Sequence, residues 1–402
     1  MKTRGEEMLA LRKARMAAAR PILRGGFRPF FLGGAGWAAL ALGLWLLAFF
    51  GSLSLPGVFD PLAWHRHEML FGFVGAVVAG FLLTAIPNWT GRLPIAGMPL
   101  AALFGLWAAG RLALLWSGTI GLGVAAAIDV GFYLVLAGVA GREVLAAKNR
   151  NLPIVGLVFL FGLANAADYA GAADLIADPE AGYRGGIALV VLLISLIGGR
   201  IVPSFTRNWM TKNGISDGLP GQPGIFDHFA IGITALTLLG WVLSPDAYSV
   251  GLGLALAGVL QLARLLRWRG WRTVRDPLVL ILHVGYAWLP VGLLLLGWSI
   301  VGTAIPRTAA IHALTAGAMA TMILAVMTRA TLGHTGRDLE ANAATVAIYA
   351  LVTLGAAVRL IATLGGFDYR MGIEVSGALW GGAMLLFALA YGPILFRPRL
   401  GN

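Results

Sequence analysis

The sequence contains no cysteine and little charge. None of its 402 residues is Cys, and only 12% are Asp, Glu, Lys or Arg. The lack of Cys excludes disulfides, cysteine-ligated iron–sulfur clusters and thiolate ligands to haem or copper. A soluble protein carries about twice this share of charge. The composition therefore argues against a soluble fold, and any metal must be held by His, Met, Tyr, a carboxylate or an exogenous ligand.

Apolar residues, at 58% of the chain, occur in long uninterrupted runs. A helix of about 20 apolar residues crosses the hydrocarbon core of a bilayer, and runs of this length are helical. We therefore predict an all-α membrane protein. The twelve predicted spans lie near 29–51, 64–86, 97–116, 119–141, 152–176, 184–203, 227–244, 247–268, 277–301, 306–329, 341–364 and 372–396.

The formal charge of +12 comes from basic residues at helix ends and in alternate loops. This is the positive-inside pattern of membrane proteins, and it does not indicate a nucleic-acid partner. It predicts a membrane protein with both termini in the cytoplasm. The predicted organisation is a basic cytoplasmic segment (1–28), one transmembrane domain (29–396) and a cytoplasmic tail (397–402). Lys2 is the first basic residue of the cytoplasmic segment.

Spans 2, 6 and 10 end in similar sequence motifs, namely TAIPNWTGR (84–92), VPSFTRNW (202–209) and MTRATLGHTGR (327–337). One interpretation is a unit of four helices repeated three times. The other is a chance likeness between helix ends that share Pro, Trp and basic residues.

Span 2 opens with two histidines in Trp64-His65-Arg66-His67-Glu68. Asp60 and Pro61 are typical of a helix N-cap and first helical position, so both histidines lie on the helix near the predicted outer face. At about 100° per residue the two side chains point in different directions and cannot bind one metal together. We predict that at least one ligates a metal, the alternative being that both contact lipid headgroups.

The residues that share a face with each histidine differ. His65 lies above Glu68 and a stripe of small residues, and such a stripe would let a flat macrocycle approach the helix backbone. The stripe consists of Gly72, Gly75, Ala76 and Ala79. The face of His67 carries Leu70, Phe71, Val74 and Val78, which is typical of ordinary packing.

His312 lies in span 10 at a similar predicted depth, above Thr315, Ala316, Met319 and Ala320. An ionisable residue at membrane depth suggests function, because its burial without a partner is costly. A pair formed by His312 with His65 or His67 would ligate haem b from both sides. The alternative is a histidine bonded to a neighbouring carbonyl.

His283 in span 9 and His334 at the end of span 10 lie near the predicted cytoplasmic side. His334 is about 33 Å along the helix from His312, so these two cannot share a metal. If both levels bind metal, two sites exist, one per leaflet, which would suit electron transfer across the membrane. His334 is also suited to cap helix carbonyls, and we interpret His228 as a cap.

Six further charges lie within the spans: Arg111, Asp129, Asp168, Arg200, Arg329 and Arg359. Arginines at such depths bind haem propionates, phosphates or buried carboxylates. Arg200 and Arg329, near corresponding ends of spans 6 and 10, are the predicted propionate ligands. Asp129 and Asp168 either carry protons or neutralise an arginine.

Five segments together resemble the NnrS family of bacterial inner-membrane proteins. They are 28–33 (RPFFLG), 64–92, 201–209, 283–290 and 311–337. The resemblance implies twelve transmembrane helices, bound haem and copper, and a role in the bacterial response to nitric oxide. It carries a ligand role to His65, His67, His283, His312 and His334, whereas His228 lies outside the matching segments.

The chain is more loosely similar to the catalytic subunit of haem–copper oxidases and nitric oxide reductases. Span 6 has no histidine and span 7 has no His-His pair, so the three-histidine metal site of those enzymes cannot be assembled here. Reduction of nitric oxide would need a different site, such as a second haem with an open axial position at His283 or His334.

The leading hypothesis is a protein with one or two haem b groups, and copper by resemblance, that binds nitric oxide and reduces or detoxifies it under nitrosative stress. Such an oxidoreductase would take electrons from an unidentified donor and protons through catalytic Glu68 or Asp168. One alternative is a sensor or assembly protein that binds the gas without turnover. Another is a proton-coupled transporter that uses Arg111, Asp129 and Asp168.

Overall fold

The computed structural model of the chain describes residues 4–401, so the predicted terminal charge Lys2 and the last residue of the predicted tail lie outside the described residues. The described residues form helices and contain no β-strand. Twelve helices have the length and hydropathy to cross a membrane, which confirms the predicted all-α class and the number of spans. They are α1 (Phe27–Phe49), α2 (Pro61–Thr90), α3 (Met98–Leu115), α4 (Leu122–Ala146), α5 (Leu152–Ala172), α6 (Ala181–Lys212), α7 (Ile225–Leu243), α8 (Tyr248–Arg267), α9 (Pro277–Val301), α10 (Arg307–His334), α11 (Ala343–Thr363) and α12 (Tyr369–Phe396).

The start of α2 confirms the predicted cap. The Asp60 carboxylate accepts hydrogen bonds from the backbone N–H groups of Leu62 (2.8 Å) and Ala63 (3.0 Å), and Pro61 is the first helical residue. Proline suits this position because it has no N–H, and an N–H here would have no partner inside the helix. Asp276 and Pro277 begin α9 in the same way. Both caps fix where a histidine-bearing helix begins.

Helices α2, α6 and α10 continue beyond the ends that we predicted for their spans. Pro87 lies inside α2 and Pro203 inside α6, although proline is expected to end a helix. Each of the three helices also contains a π-helical segment: Glu68–Val74, Ile194–Gly198 and Ala313–Met319. A π segment has more residues per turn than an α-helix. The face assignments that assumed α-helical spacing beyond His65 and His312 are therefore wrong after the first turn.

The π segments support the predicted repeat for α2 and α10. His67 and His312 each stand directly before a seven-residue π segment. Each is followed at the same spacing by a glycine, Gly72 or Gly317, and later by the word Thr-Gly-Arg. Both Thr-Gly-Arg glycines have positive φ, +67° at Gly91 and +74° at Gly336. In α6 no histidine precedes the π segment, so this repeat lacks the candidate ligand.

The chain divides into two units. Unit 1 comprises the chain up to Gly186, residues 333–337 and the chain from Ala388 on, and contains α1 to α5. Phe30, Phe31 and Phe71 are among its fully buried side chains. The Arg28 guanidinium donates to the carbonyls of Leu395 (2.6 Å) and Arg397 (2.8 Å). This arginine, in the RPFFLG word, thus satisfies carbonyls at the end of α12, which otherwise have no partner inside the helix.

Unit 2 comprises Ile187–Leu332 and Asp338–Phe387. Helices α8 and α9 pack closely there, because glycines face each other. A Cβ added at Gly297 would lie 2.6 Å from the carbonyl oxygen of Gly251. Such small residues let two membrane helices approach each other at backbone distance. The unit holds the predicted ligands His283 and His312.

Candidate functional site

A group of buried charged side chains lies in unit 1 and is called here the His67 cluster. It comprises His67, Glu68, Arg111, Asp129 and Asp168. The first four are fully or almost fully buried, and the Asp168 side chain is 13% exposed. Helices α2, α3, α4 and α5 each contribute at least one member. The cluster therefore joins four helices through buried ion pairs and hydrogen bonds.

Both ring nitrogens of His67 meet carboxylates. Nδ1 lies 2.8 Å from Oδ2 of Asp168, and Nε2 lies 2.9 Å from Oδ2 of Asp129. An ionised carboxylate only accepts hydrogen bonds, whereas a neutral imidazole has only one N–H to donate. The geometry therefore requires either an imidazolium or a protonated carboxyl, so these three groups share a proton. Any ligation of a metal by His67 would require the displacement of a carboxylate.

Arg111 connects the two ends of the cluster. Its guanidinium donates to Oε2 of Glu68 at 2.7 Å and also pairs with Asp129. The Trp37 indole N–H donates to the same Glu68 oxygen at 2.6 Å. Three carboxylates face one arginine and one histidine, so the cluster carries excess negative charge unless it binds further protons.

Gly72 and Gly75, which the α-helical spacing had placed below His65, lie against protein side chains. A Cβ at Gly72 would lie 2.8 Å from Nη1 of Arg111, and the Tyr133 hydroxyl lies against Gly75. The space expected for a macrocycle is thus taken by the His67 cluster and by Tyr133. The His65 ring instead stacks on Trp45 with ring centroids 4.0 Å apart. The different partners of His65 and His67 confirm that the two side chains diverge.

His312 is part-exposed in unit 2 and has one ring nitrogen fixed by the backbone. Its Nδ1 lies 2.7 Å from the carbonyl oxygen of Thr308. A carbonyl oxygen only accepts, so Nδ1 carries the proton and Nε2 carries a lone pair. Metal-ligating histidines are commonly held in this way, with one nitrogen donating to a carbonyl while the other faces the metal. The chemistry of this donor fits haem ligation.

His283 is buried in unit 2 and is also held in one tautomer. The Thr206 hydroxyl donates to the carbonyl of Val202 (2.8 Å), so at its 2.7 Å contact with His283 it accepts from Nε2. The lone pair therefore resides on Nδ1, which is buried and has no hydrogen-bond partner among the described residues. Gly270 lies against the ring, where a Cβ would clash.

The remaining predicted residues lie nearer the surface. His334 is exposed at the end of α10, with its ring 5.4 Å from that of Phe27. Arg200 is exposed, and the Arg329 guanidinium lies 4.1 Å from the ring centroid of Phe205. His228 lies at the start of α7, and its Nδ1 lies 2.8 Å from the carbonyl oxygen of Gly224. A side chain that caps a helix start accepts from backbone N–H groups, so this contact is not the cap that we predicted.

The proposed pairing of His65 or His67 with His312 joins residues of different units, and it stays a prediction. Within residues 4–401, no group of three or more His, Asp or Glu side chains is arranged to hold a metal ion. The metal assignments therefore rest on single histidines.

Sequence reasoning missed a second polar network, in unit 2. Buried Arg264 donates to Asp227 (3.1 Å), to Gln261 (2.9 Å) and to the Tyr286 hydroxyl (2.9 Å). It also contacts Ser195 in the π segment of α6. The signal was present as Gln261, a polar residue in the middle of an apolar span. In unit 1, Asn165 gave a similar signal, and its amide lies 3.2 Å from Asp129.

Comparison with known proteins identifies the family. A family model described as NnrS protein matches residues 21–399, and no curated protein matches the chain. The matched region includes all twelve membrane helices, the His67 cluster and every histidine discussed above. Because the match covers nearly the whole chain, this membrane protein belongs to the NnrS family.

Proposed function

We propose that this membrane protein binds haem through His312 and reduces or otherwise detoxifies nitric oxide during nitrosative stress. The observation that carries the proposal is the geometry of His312. Its Nδ1–H is committed to the carbonyl of Thr308, and its Nε2 lone pair is left for a ligand. Membership of the NnrS family supports the link to nitric oxide. Haem iron would supply binding of the diatomic gas and one-electron chemistry.

Reduction of nitric oxide needs protons as well as electrons. Two molecules of nitric oxide take up two electrons and two protons to give one nitrous oxide and one water. The His67 cluster supports this part of the proposal, because it holds a shared proton between His67, Asp129 and Asp168. Glu68, at the other end of Arg111, is proposed to take part in the supply of protons. The electrons come from a reductant that is still unidentified.

Haem and metal content per chain, measured on the purified protein together with a reduced spectrum, tests the proposal. The reduced wild type should show the intense Soret band of haem, and metal analysis of the same sample reports copper. A purified, folded wild type without haem would overturn the proposal.

His312→Ala should remove one haem per chain. His228→Ala is the matched control, because His228 makes the same Nδ1 contact to the carbonyl four residues earlier but lies outside the proposed site. The control should keep the haem content of the wild type. Equal haem content in both variants would contradict the assignment of His312.

Turnover separates an enzyme from a sensor. Haem-loaded protein with a chemical reductant should consume nitric oxide continuously, and Glu68→Gln should slow consumption while haem content stays unchanged. One equivalent of gas bound without further consumption would favour the sensor or assembly protein.

The His67 cluster also favours a second candidate, a proton-coupled transporter. A buried histidine between two aspartates is the kind of intramembrane group that relays protons. This candidate predicts a haem-free wild type and a loss of proton-coupled transport in Asp129→Asn. Haem in the wild type, with no proton movement in sealed vesicles, would exclude it.

A further inference from the structure

Arg359 is a buried arginine in unit 2 that lacks a carboxylate partner among the described residues. Its side chain is 8% exposed. Its guanidinium donates to the hydroxyl of Thr363 at 3.1 Å and to that of Tyr369 at 3.2 Å, and it lies 5.2 Å from the centroid of the Tyr369 ring. By contrast, the buried Arg111 and Arg264 each pair with a carboxylate, and the buried Arg28 donates to carbonyl oxygens at the negative end of the α12 dipole. A buried cation held only by neutral groups is costly in a membrane, unless an anion completes its surroundings.

Arg359 and His312 lie on packed segments. The first turns of α10, which carry His312, pack against α11, which carries Arg359. Because α10 and α11 follow one another in the chain and pack in opposite directions, His312 near the start of α10 and Arg359 near the end of α11 lie at the same end of this helix pair. A free nitrogen lone pair and an uncompensated positive charge thus belong to one neighbourhood. A ligand that contains both a metal and an acid group would match the lone pair of His312 and the charge of Arg359.

We infer that Arg359 binds an acid group of the ligand that His312 coordinates, which for haem is a propionate. The inference rests on the proposed function, because it takes haem as that ligand. Arg359 is then a positioning residue, and Tyr369 and Thr363 orient its planar guanidinium, which suits a carboxylate. The surroundings of Arg359 differ from those of the predicted propionate ligands Arg200 and Arg329. Arg200 is exposed, and Arg329 stacks on Phe205.

The test compares haem release from purified full-length variants to an excess of haem-free globin. Arg359→Gln should release haem about tenfold faster than the wild type, the change expected from the loss of one charge-assisted contact. Its reduction potential should also fall, because a nearby positive charge disfavours the ferric state. Arg359→Lys should restore most of the potential, which a purely structural role would not predict.

Arg272→Gln is the control, because Arg272 pairs with Asp217 near the surface and has no place in the proposed site, and it should release haem at the wild-type rate. Where Arg359→Gln does not accumulate as folded protein, Tyr369→Phe replaces it, with release expected to be about threefold faster. Unchanged release and potential in a folded Arg359→Gln would overturn this inference while the proposed function stands. A larger effect in the control than in Arg359→Gln would also overturn it. A wild type that carries no haem would instead overturn the proposed function itself.

Discussion

His67 and His312 occupy the same place relative to a π segment but meet different partners. His67 contacts the carboxylates of Asp129 and Asp168, whereas His312 contacts a backbone carbonyl. The first arrangement uses both ring nitrogens, and the second uses one. A histidine with one nitrogen fixed and one free is preorganised for a metal. At the scale of single residues, the chemistry of two equivalent positions is thus decided by the side chains that face them.

Loss of Arg111 should destabilise unit 1 strongly. Arg111→Gln leaves Glu68 and Asp129 without their guanidinium partner in a fully buried site. Removal of one partner from a buried ion pair costs about 3–5 kcal/mol, because the remaining charge has no compensation. The free energy of unfolding, measured by titration from mild detergent into sodium dodecyl sulfate, should fall by this amount.

The control is Arg272→Gln, because Arg272 pairs with Asp217 at the surface at 3.2 Å. An exposed pair contributes about 0–1 kcal/mol, so this variant should unfold nearly like the wild type. In the double variant Glu68→Gln/Arg111→Gln, the change at Glu68 removes one of the two carboxylates that Arg111→Gln leaves without a partner. The double variant should therefore be more stable than Arg111→Gln alone. Similar losses for the buried and the surface arginine would contradict the described cluster.

At the scale of helices, α2 is followed by a glycine whose backbone conformation other residues avoid. Gly91 has φ of +67°, and its N–H donates to the carbonyl of Pro87 at 3.0 Å. An L-residue with a side chain pays about 1–2 kcal/mol to adopt this left-handed conformation. A Cβ added at Gly91 would meet no atom within 4 Å, so its effect would be purely conformational.

Gly91→Ala should therefore lower the free energy of unfolding by about 1–2 kcal/mol. Gly138→Ala, in α4, is the matched control, because its added Cβ also meets open space but the residue lies within a regular helix. The control should be neutral or should stabilise by up to about 1 kcal/mol. The same unfolding titration measures both, and equal effects would argue against a left-handed cap at Gly91.

At the scale of the whole molecule, the alternation of basic loops predicts the orientation in the membrane. The chain contains no cysteine, so single introduced cysteines report the side on which each loop lies. Ser52, between α1 and α2, and Ser216, between α6 and α7, are both exposed. In intact cells a membrane-impermeant maleimide should label Ser52→Cys and should not label Ser216→Cys. Labelling of Ser216→Cys alone would mean that the chain has the opposite orientation.

The sequence allowed much of the architecture to be predicted, for a physical reason. A lipid-exposed backbone must satisfy its own hydrogen bonds, so long apolar runs have almost no alternative to helix. The cap at Asp60 followed from local chemistry in the same way. The π segments were not predicted, because hydrophobic spacing does not distinguish a π turn from an α turn within a uniformly apolar run. The helix ends beyond Pro87 and Pro203 were missed because neighbouring structure overrides the local preference of proline.

Composition and patterning alone determined that this chain is a twelve-helix membrane protein with histidines at membrane depth. They also identified the charged residues that would need partners in lipid. Only the tertiary structure decided which residues become partners, because Asp129 and Asp168 contact His67 from helices that are distant in sequence. It likewise placed side chains from neighbouring helices against Gly72 and Gly75, where the sequence suggested space for a macrocycle. The availability of a lone pair depends on what faces it in space, and so only the folded chain separates His312 from His67.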